Sequence, residues 1–501
     1  MKNIFYSLIL LITINSNADQ KPNILIFLVD DMGLMDTSVP FLTDNANKPE
    51  IHNLNKFYET PGMERLAKSG LRLSQFYANS VCSPSRASLM TGQSSARHRI
   101  TQYIKPESNN AGPYGPKKWK WEGLNKSDVT LPHILQKNGY RTIHCGKGHF
   151  APVGYNGENP QNLGFDINIA GCSYGQPGSY FGKENFGNGI KKKQKRAVPG
   201  LAKYHGKDIH LSEALTLEMN AAISDAVKEG KPFLAYMSHY AVHAPFQPDP
   251  RFIDKYKSKS DSKNAAAYAT LIEGMDKSLN DIMNQLNKLN IADNTLIIFL
   301  GDNGSDSPLG PTHTVASSEP LRGKKGTHYE GGMRVPFIIS WAKRNLDSPI
   351  QKKYNINQGV LSSHFACIND IFPTVLEITN SKVPDNHTID GESLIPLVTG
   401  KNLDHKQKFL MHFPHSHRSS YFTVYRSGDL KLIYHYLEEE DKKYELFNLK
   451  KDPYESRNIA HENSKLLSKM VNEMNQELLT AKAQLPHNKN GDELTLPDPQ
   501  P

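Results

Sequence analysis

The sequence predicts an α/β fold: a three-layer α/β/α sandwich around a mostly parallel sheet, with a smaller α+β subdomain at the C-terminal end. Three observations carry this expectation. Residues 23–29, 233–237 and 295–300 are continuous apolar runs, the pattern of strands buried on both faces. Segments with helical spacing alternate with these runs, as they do when crossover helices join parallel strands. Beyond Lys401 the alternation stops, and two short strand-like segments flank a Ser427-Gly428-Asp429 turn, the form of an antiparallel hairpin.

Taken in order, residues 1–18 read as an export signal. Lys2 supplies the positive end, residues 4–14 the apolar run and Asn17-Ala18 the small-residue cleavage point. The run is shorter than the ~20 apolar residues that span a bilayer, and no later segment reaches that length. No cysteine follows it closely, so no lipid anchor is expected. The mature chain is expected to be exported, periplasmic or secreted, with no membrane span.

The first strand, residues 23–29, ends in Asp30-Asp31. Residues 62–68 form a short helix stopped by Gly70, and residues 131–138 another, stopped by Gly139 ahead of a strand at 140–144. Residues 151–210 turn rich in Gly, Asn, Tyr and Pro around a basic block at 191–196, and read as a surface insertion with little regular structure. A helix at 212–227 leads through Lys231-Pro232 into the strand at 233–237. Tyr268, Leu271, Ile272, Met275, Leu279, Ile282, Leu286 and Leu289 recur at spacings of three and four, the core face of the longest helix. The strand at 295–300 ends in Gly301-Asp302-Asn303-Gly304. The hairpin at 421–434 and a helix at 464–481 complete the chain before a polar, Pro-rich tail. The expected division is signal 1–18, catalytic domain 19–400 and C-terminal subdomain 401–501.

With 501 residues and 38% hydrophobic content, the chain can bury a large core. Its four cysteines, Cys82, Cys145, Cys172 and Cys367, are too few to staple the fold, and if Cys82 is catalytic at most one disulfide remains possible. A formal charge of +8 suits an anionic substrate, although scattered surface lysines give the same total. No nucleic-acid partner is expected.

Residues 82–92 carry the strongest local signal. Ser83 and Pro84 read as N-cap and first helical residue, which puts Cys82 at the positive end of a helix dipole. Arg86 lies one turn further on the same face. A cysteine alone is as readily a small buried hydrophobe. Asp30-Asp31 and Asp302-Asn303 both follow strands, and ligands bind at the carboxyl ends of strands in such sheets. Together they offer three carboxylates and an amide oxygen, which suit calcium or magnesium and suit zinc poorly. Singly, each is an ordinary turn. Lys147 and His149 follow another strand among glycines, Lys324-Lys325 lie in a Gly-rich loop, and His243 follows the strand at 233–237. His412, His415 and Arg418 lie in a His-rich run that either reaches the pocket mouth to meet sugar or packs as a subdomain edge.

Together these motifs resemble the formylglycine-dependent (type I) sulfatases of the alkaline phosphatase superfamily. Residues 82–92 match the Cys-x-Pro-Ser-Arg signature through Thr91-Gly92, and residues 139–149 match Gly-Tyr-x-Thr-x-x-x-Gly-Lys-x-His at every fixed position. Residues 324–334 resemble a third element, with Lys324 where many members have glycine, and residues 446–455 resemble the C-terminal subdomain of the family. The resemblance implies that a maturation enzyme converts Cys82 to formylglycine, whose hydrate is the nucleophile. It implies one Ca2+ held by Asp30, Asp31, Asp302, Asn303 and residue 82. Arg86 would steady the hydrate, Lys147 and Lys325 would hold sulfate oxygens, His243 would protonate the leaving oxygen, and His149 would deprotonate the second hydroxyl. The expected substrate is a sulfated carbohydrate, first an algal polymer such as ulvan, carrageenan or fucoidan, second a glycosaminoglycan. The alternatives are a phosphodiester or phosphonate hydrolase of the same superfamily and a silent carbohydrate-binding homologue.

Overall fold

All seven residues of β1 (Asn23–Val29) are buried, because the strand runs through the middle of an eight-stranded sheet. In this computed structural model residues 21–44, 46–260, 262–307, 318–401 and 408–500 are described; the expected export signal lies outside the described residues. The other strands of the large sheet are β2 (Leu71–Tyr77), β3 (Arg141–Gly146), β4 (Ile167–Ile169), β5 (Phe233–His239), β6 (Thr295–Gly301), β7 (Phe337–Trp341) and β8 (Val360–Cys367). Their order is β4-β3-β5-β1-β6-β7-β2-β8. β7 runs against β6 and β2, while the pairs β1–β5, β1–β6, β3–β5, β3–β4 and β2–β8 are parallel. β1, β2, β3, β5 and β6 therefore all deliver their carboxyl ends to one edge.

The continuous apolar pattern of β1 splits between two cores, as alternating side chains must. Leu25, Phe27 and Val29 face the long helix Lys263–Lys288, whose Leu271, Ile272, Met275, Leu279 and Ile282 are fully buried. Ile24, Ile26 and Leu28 face the opposite layer, which contains Ala87, Leu89 and Met90 of the helix Cys82–Thr91, and Phe372 and Val375 of the helix Ile371–Ile378. This is the three-layer sandwich the sequence predicts. Leu289, expected on the core face of the long helix, sits just past its end and is only half-buried.

The second sheet is antiparallel, in the order β12-β11-β10-β9, built from β9 (Lys408–Ser416), β10 (Ser420–Ser427), β11 (Leu430–His435) and β12 (Tyr444–Asn448). The helix Ser464–Ala481 covers one face through Leu467, Met470, Val471 and Met474. The other face puts Phe413, Phe422, Val424 and Ile433 against Tyr77, Val81 and Met333 of the large domain.

The stretch 151–210 differs from its expected character as a surface insertion. It supplies the edge strand β4, and Tyr180, Phe186, Val198 and Leu201 are at most 1% exposed in the core beneath β1. Short 3-10 turns replace α-helix there, so its apolar anchors have no regular period to read. Its basic block is partly engaged: Lys193 pairs with Glu184 and Arg196 with Glu107.

Candidate active site

Five strand ends meet at one edge, and each delivers a reactive group. β1 ends in Asp30 and Asp31, β6 in Asp302 and Asn303, β3 in Lys147 and His149, and β5 in the loop of His243. β2 leads into the helix Cys82–Thr91. Cys82 is the first residue of that helix and Val81 its N-cap, which corrects the expected cap at Ser83. Ser83 Oγ instead accepts from Ile104 N at 3.0 Å and lies 3.4 Å from His149 Nδ1. Close approach at this edge needs glycine: at Gly146 (φ 108°) a Cβ would lie 1.8 Å from Ser238 O. Asp31 and His149 also hold left-handed backbone, at φ 60° and 57°, which is uncommon outside glycine and concentrates at functional positions.

Oxygen atoms of Asp30, Asp31 and Asp302 all lie within 4.8 Å of one another in fully buried positions. Three cations answer them. Lys147 Nζ lies 2.7 Å from both Asp30 oxygens. Lys325 Nζ lies 2.7 Å from Asp31 Oδ1 and 2.8 Å from Oδ2. Arg86 donates to Asp302 Oδ2 through Nε at 3.0 Å and Nη2 at 2.8 Å, and reaches Ser238 Oγ at 2.6 Å. Burial opposes ionisation of Asp31, but Lys325 and His243 overcome it and hold its carboxyl below the usual range. Asp30 is pushed up by burial and by its acidic neighbours against the pull of Lys147.

Asn303 tests whether this cluster fits a cation. Its amide nitrogen donates to Asp31 Oδ1 and Gly304 O, both at 2.9 Å, while its buried Oδ1 has no hydrogen-bond partner. An orphaned buried oxygen costs stability unless something occupies it. Beside three carboxylates it completes an all-oxygen set, the donor type of a hard divalent cation. The residues present fit such an ion.

Around residue 82 the two histidines differ in direction. His149 Nε2 lies 2.6 Å from Ile104 O and so carries the ring hydrogen, leaving the Nδ1 lone pair 3.3 Å from Cys82 Sγ. Burial and then Lys147 hold its pKa well below the ordinary value, so it is a neutral base. His243 gives Nδ1–H to Ala244 O at 2.8 Å and turns Nε2 toward Asp31 Oδ2, 3.5 Å away. Burial lowers its pKa to about 4 against the pull of Asp31. The Cys82 thiol, 3% exposed, is pushed up by burial despite Lys147 and Lys325. The helix start therefore does not make it a ready thiolate.

Two of the expected sugar contacts are corrected. His412 Nδ1 lies 2.7 Å from Thr423 Oγ1 and its Nε2 2.9 Å from Gln484 O. His415 Nε2 lies 2.7 Å from Thr101 Oγ1 and its Nδ1 2.9 Å from Ala111 O. Both are buried with every ring nitrogen engaged, because inward positions of a strand packed on both faces have no route to solvent. Arg418 does lie near the site, paired with Asp306 and 3.3 Å from Lys325 O. His417, beside it, packs against the Tyr103 ring at 5.1 Å.

The sequence reading missed several supports. Ser238 fastens Arg86, and Tyr180 OH lies 2.7 Å from the carbonyls of both Tyr240 and His243, holding the His243 loop. Asp306 carried a signal, as the next acid after Asp302-Asn303. A cavity of about 800 Å³, lined by Lys21, Asn138 and Asn294, lies at the amino ends of β1, β3 and β6. It gathers no acid–base constellation and is at the wrong edge for this kind of sheet.

Comparison with known proteins gives the following likenesses. The sulfatase family model matches residues 22–381, and that of the N-sulphoglucosamine sulphohydrolase C-terminal region matches residues 324–484. A sulfatase of Formosa agariphila is 29% identical over 510 residues, covering 89% of this chain and 86% of that protein. N-acetylgalactosamine-6-sulfatase of Homo sapiens is 28% identical, covering 78% of this chain and 68% of that protein. The crystal structure of Ps i-CgsB superposes with a TM-score of 0.71 at 25% identity, covering 94% of this chain and 96% of that one. Ps i-CgsB has also been solved with k-i-k-neocarrahexaose.

Proposed function

The chain belongs to the sulfatase family and is a sulfuric ester hydrolase, and from that premise we propose an exported enzyme that desulfates a polysaccharide or its oligosaccharides. Algal polymers such as carrageenan, fucoidan or ulvan are its first substrate class. The likeness to Ps i-CgsB, solved with a neocarrahexaose, supports that choice. The likeness to an N-acetylgalactosamine-6-sulfatase supports glycosaminoglycans as the second. Export, to the periplasm or beyond, rests on the signal-like residues 1–18; no described helix is long and apolar enough to cross a membrane.

One observation carries the mechanism: the His149 Nδ1 lone pair is aimed at residue 82 from 3.3 Å. A buried thiol gives that base little to do. Converted to formylglycine by a maturation enzyme and hydrated, residue 82 supplies one hydroxyl to attack sulfur and a second whose deprotonation lets sulfate leave. His149 takes that second proton at Nδ1, while its Nε2–H stays on Ile104 O and fixes the ring. Lys147 and Lys325 hold the sulfate oxygens and stabilise charge that grows in the transition state. Arg86, anchored on Asp302 and Ser238, steadies the hydroxyls. His243 presents Nε2 to the leaving alcohol oxygen as general acid; burial opposes the protonated ring, and Asp31, 3.5 Å away, together with the charge growing on the leaving oxygen, is what favours it. Asp30, Asp31, Asp302 and Asn303, with residue 82, would hold one Ca2+, whose charge favours the ionised hydroxyl.

Paired assays with an aryl sulfate and an aryl phosphate test the reading. Faster turnover of the sulfate is expected. Preference for the phosphate would point to a phosphoester or phosphonate hydrolase, and no turnover of either to a silent homologue.

A further inference from the structure

Where the loop that carries Lys325 meets the C-terminal sheet, three side chains from three elements converge. His328 lies on the loop, His435 ends β11 and Glu445 lies on β12. Glu445 pairs with Ile433, two residues before His435, so the His435 and Glu445 side chains stand on the same face of the sheet. That face is the one packed on the large domain. Glu445 Oε1 is 2.9 Å from His435 Nε2 and 3.5 Å from His328 Nε2, and the three donor atoms all lie within 4.8 Å of one another. His328 is only 8% exposed, yet neither of its ring nitrogens has a hydrogen-bond partner. The ring is fixed against Tyr329, Phe422 and His435, at centroid distances of 4.1, 5.2 and 4.6 Å. A buried imidazole whose Nε2 meets only a carboxylate oxygen 3.5 Å away, held beside a second imidazole, has the donors of a metal ligand set.

We propose that His328, His435 and Glu445 form a second metal site, for a borderline divalent cation such as Zn2+, that fastens the Lys325 loop to the C-terminal sheet. Two imidazole nitrogens and one carboxylate oxygen are zinc donors, unlike the all-oxygen set at the strand ends. A tetrahedral site with bonds of about 2.0–2.1 Å spaces its ligands by roughly 3.3 Å, between the 2.9 and 3.5 Å separations found here. The Glu445 side chain keeps 17% of its surface exposed, which leaves water a route to the fourth position. Tyr329 OH lies 3.2 and 3.1 Å from the two Glu445 oxygens and orients the carboxylate, the role of outer partners in metal sites. Arg322 Nη1, 3.9 Å from Glu445 Oε2, and Lys431, on the same face of β11 as His435, are further charges facing the cluster. The metal would hold His328, three residues from Lys325, and so set the position of the lysine without touching substrate.

The test is elemental analysis of the full-length mature enzyme after equilibration at micromolar free zinc and removal of loosely held metal. One zinc per chain is expected in the wild type and in Asp30→Asn, which alters only the strand-end cluster. His435→Gln and Glu445→Gln are expected to lose that zinc. Equal zinc in wild type and His435→Gln, or none in the wild type, would overturn the proposal. Should the variants fail to fold, Co2+ added to the wild type decides. Intense visible absorption of four-coordinate cobalt supports the site, and the weak spectrum of six-coordinate cobalt alone overturns it.

Discussion

The molecule holds two buried charge networks that look alike in composition and differ in what they leave unspent. At the strand ends, Asp30, Asp31 and Asp302 are answered by Lys147, Lys325 and Arg86, but Asn303 Oδ1 has no partner and His149 Nδ1 faces residue 82. At the seam between the sheets, Lys431 sits 3.0 Å from Glu330 Oε1 and 2.6 Å from Glu455 Oε1. Glu455 Oε2 accepts from Glu330 N at 2.8 Å, and Arg426 reaches Tyr77 OH and Gly428 O. There each charge is spent on its neighbour. The same contrast separates His149, whose Nδ1 faces residue 82 and Ser83 Oγ, from His412 and His415, whose ring nitrogens all meet partners outside the site. Burial of charge alone therefore does not mark chemistry in this protein; unspent bonding capacity directed at a common point does.

That contrast can be broken by substitution. Cys82→Ala should abolish sulfate release while circular dichroism and the melting temperature stay near wild type; residual wild-type turnover would remove residue 82 from the chemistry. Lys147→Ala or His149→Ala should lower kcat by about 100-fold or more, the scale of a lost charge-stabilising or acid–base group. Substitution at the seam should act on stability instead. Lys431→Met removes the cation shared by Glu330 and Glu455, Glu330 keeping Arg334 and Tyr77, and should cost about 3–5 kcal/mol in denaturant unfolding, with kcat per folded molecule kept within a few-fold. A collapse of kcat in folded Lys431→Met would erase the distinction between the networks.

A smaller effect follows from the buried histidines. Burial holds His98, His144, His239 and His415 to about 3, and His210 and His412 to about 4. Unfolded, each titrates near 6.5, so below that pH the unfolded chain binds more protons and stability falls with pH. Asp36, Asp276 and Glu455, raised by burial to about 7, work in the opposite direction but are outnumbered. Denaturant midpoints should therefore drop between pH 6.5 and 4, and a rise over that window would contradict the burial of these rings. The smallest effect is expected for His412→Gln: turnover of a sulfated oligosaccharide unchanged, because its ring serves Thr423 and Gln484 and not sugar.

Much of this was legible in the sequence where local pattern determines structure. Continuous apolar runs mark β1, β5 and β6, and the ends of such runs mark Asp30, Asp31, Asp302 and Asn303. Lys147 and His149 were found because glycines flank them just past a strand. The rest depends on tertiary contacts that leave no period. Ile104 fixes the tautomer of His149 through a backbone carbonyl, which no side-chain identity encodes. Tyr180 supports His243 from a stretch built of 3-10 turns, whose composition reads as a loop. His412 and His415 misled because histidine-rich composition does not say which strand face is covered on both sides.

The most direct test of the account is mass spectrometry of the proteolytic peptide containing residue 82, from enzyme produced with its maturation machinery. A peptide lighter than that of the encoded cysteine is expected, by the difference between a thiol side chain and an aldehyde. An unmodified cysteine at position 82 in a preparation that turns over an aryl sulfate at full rate would contradict it.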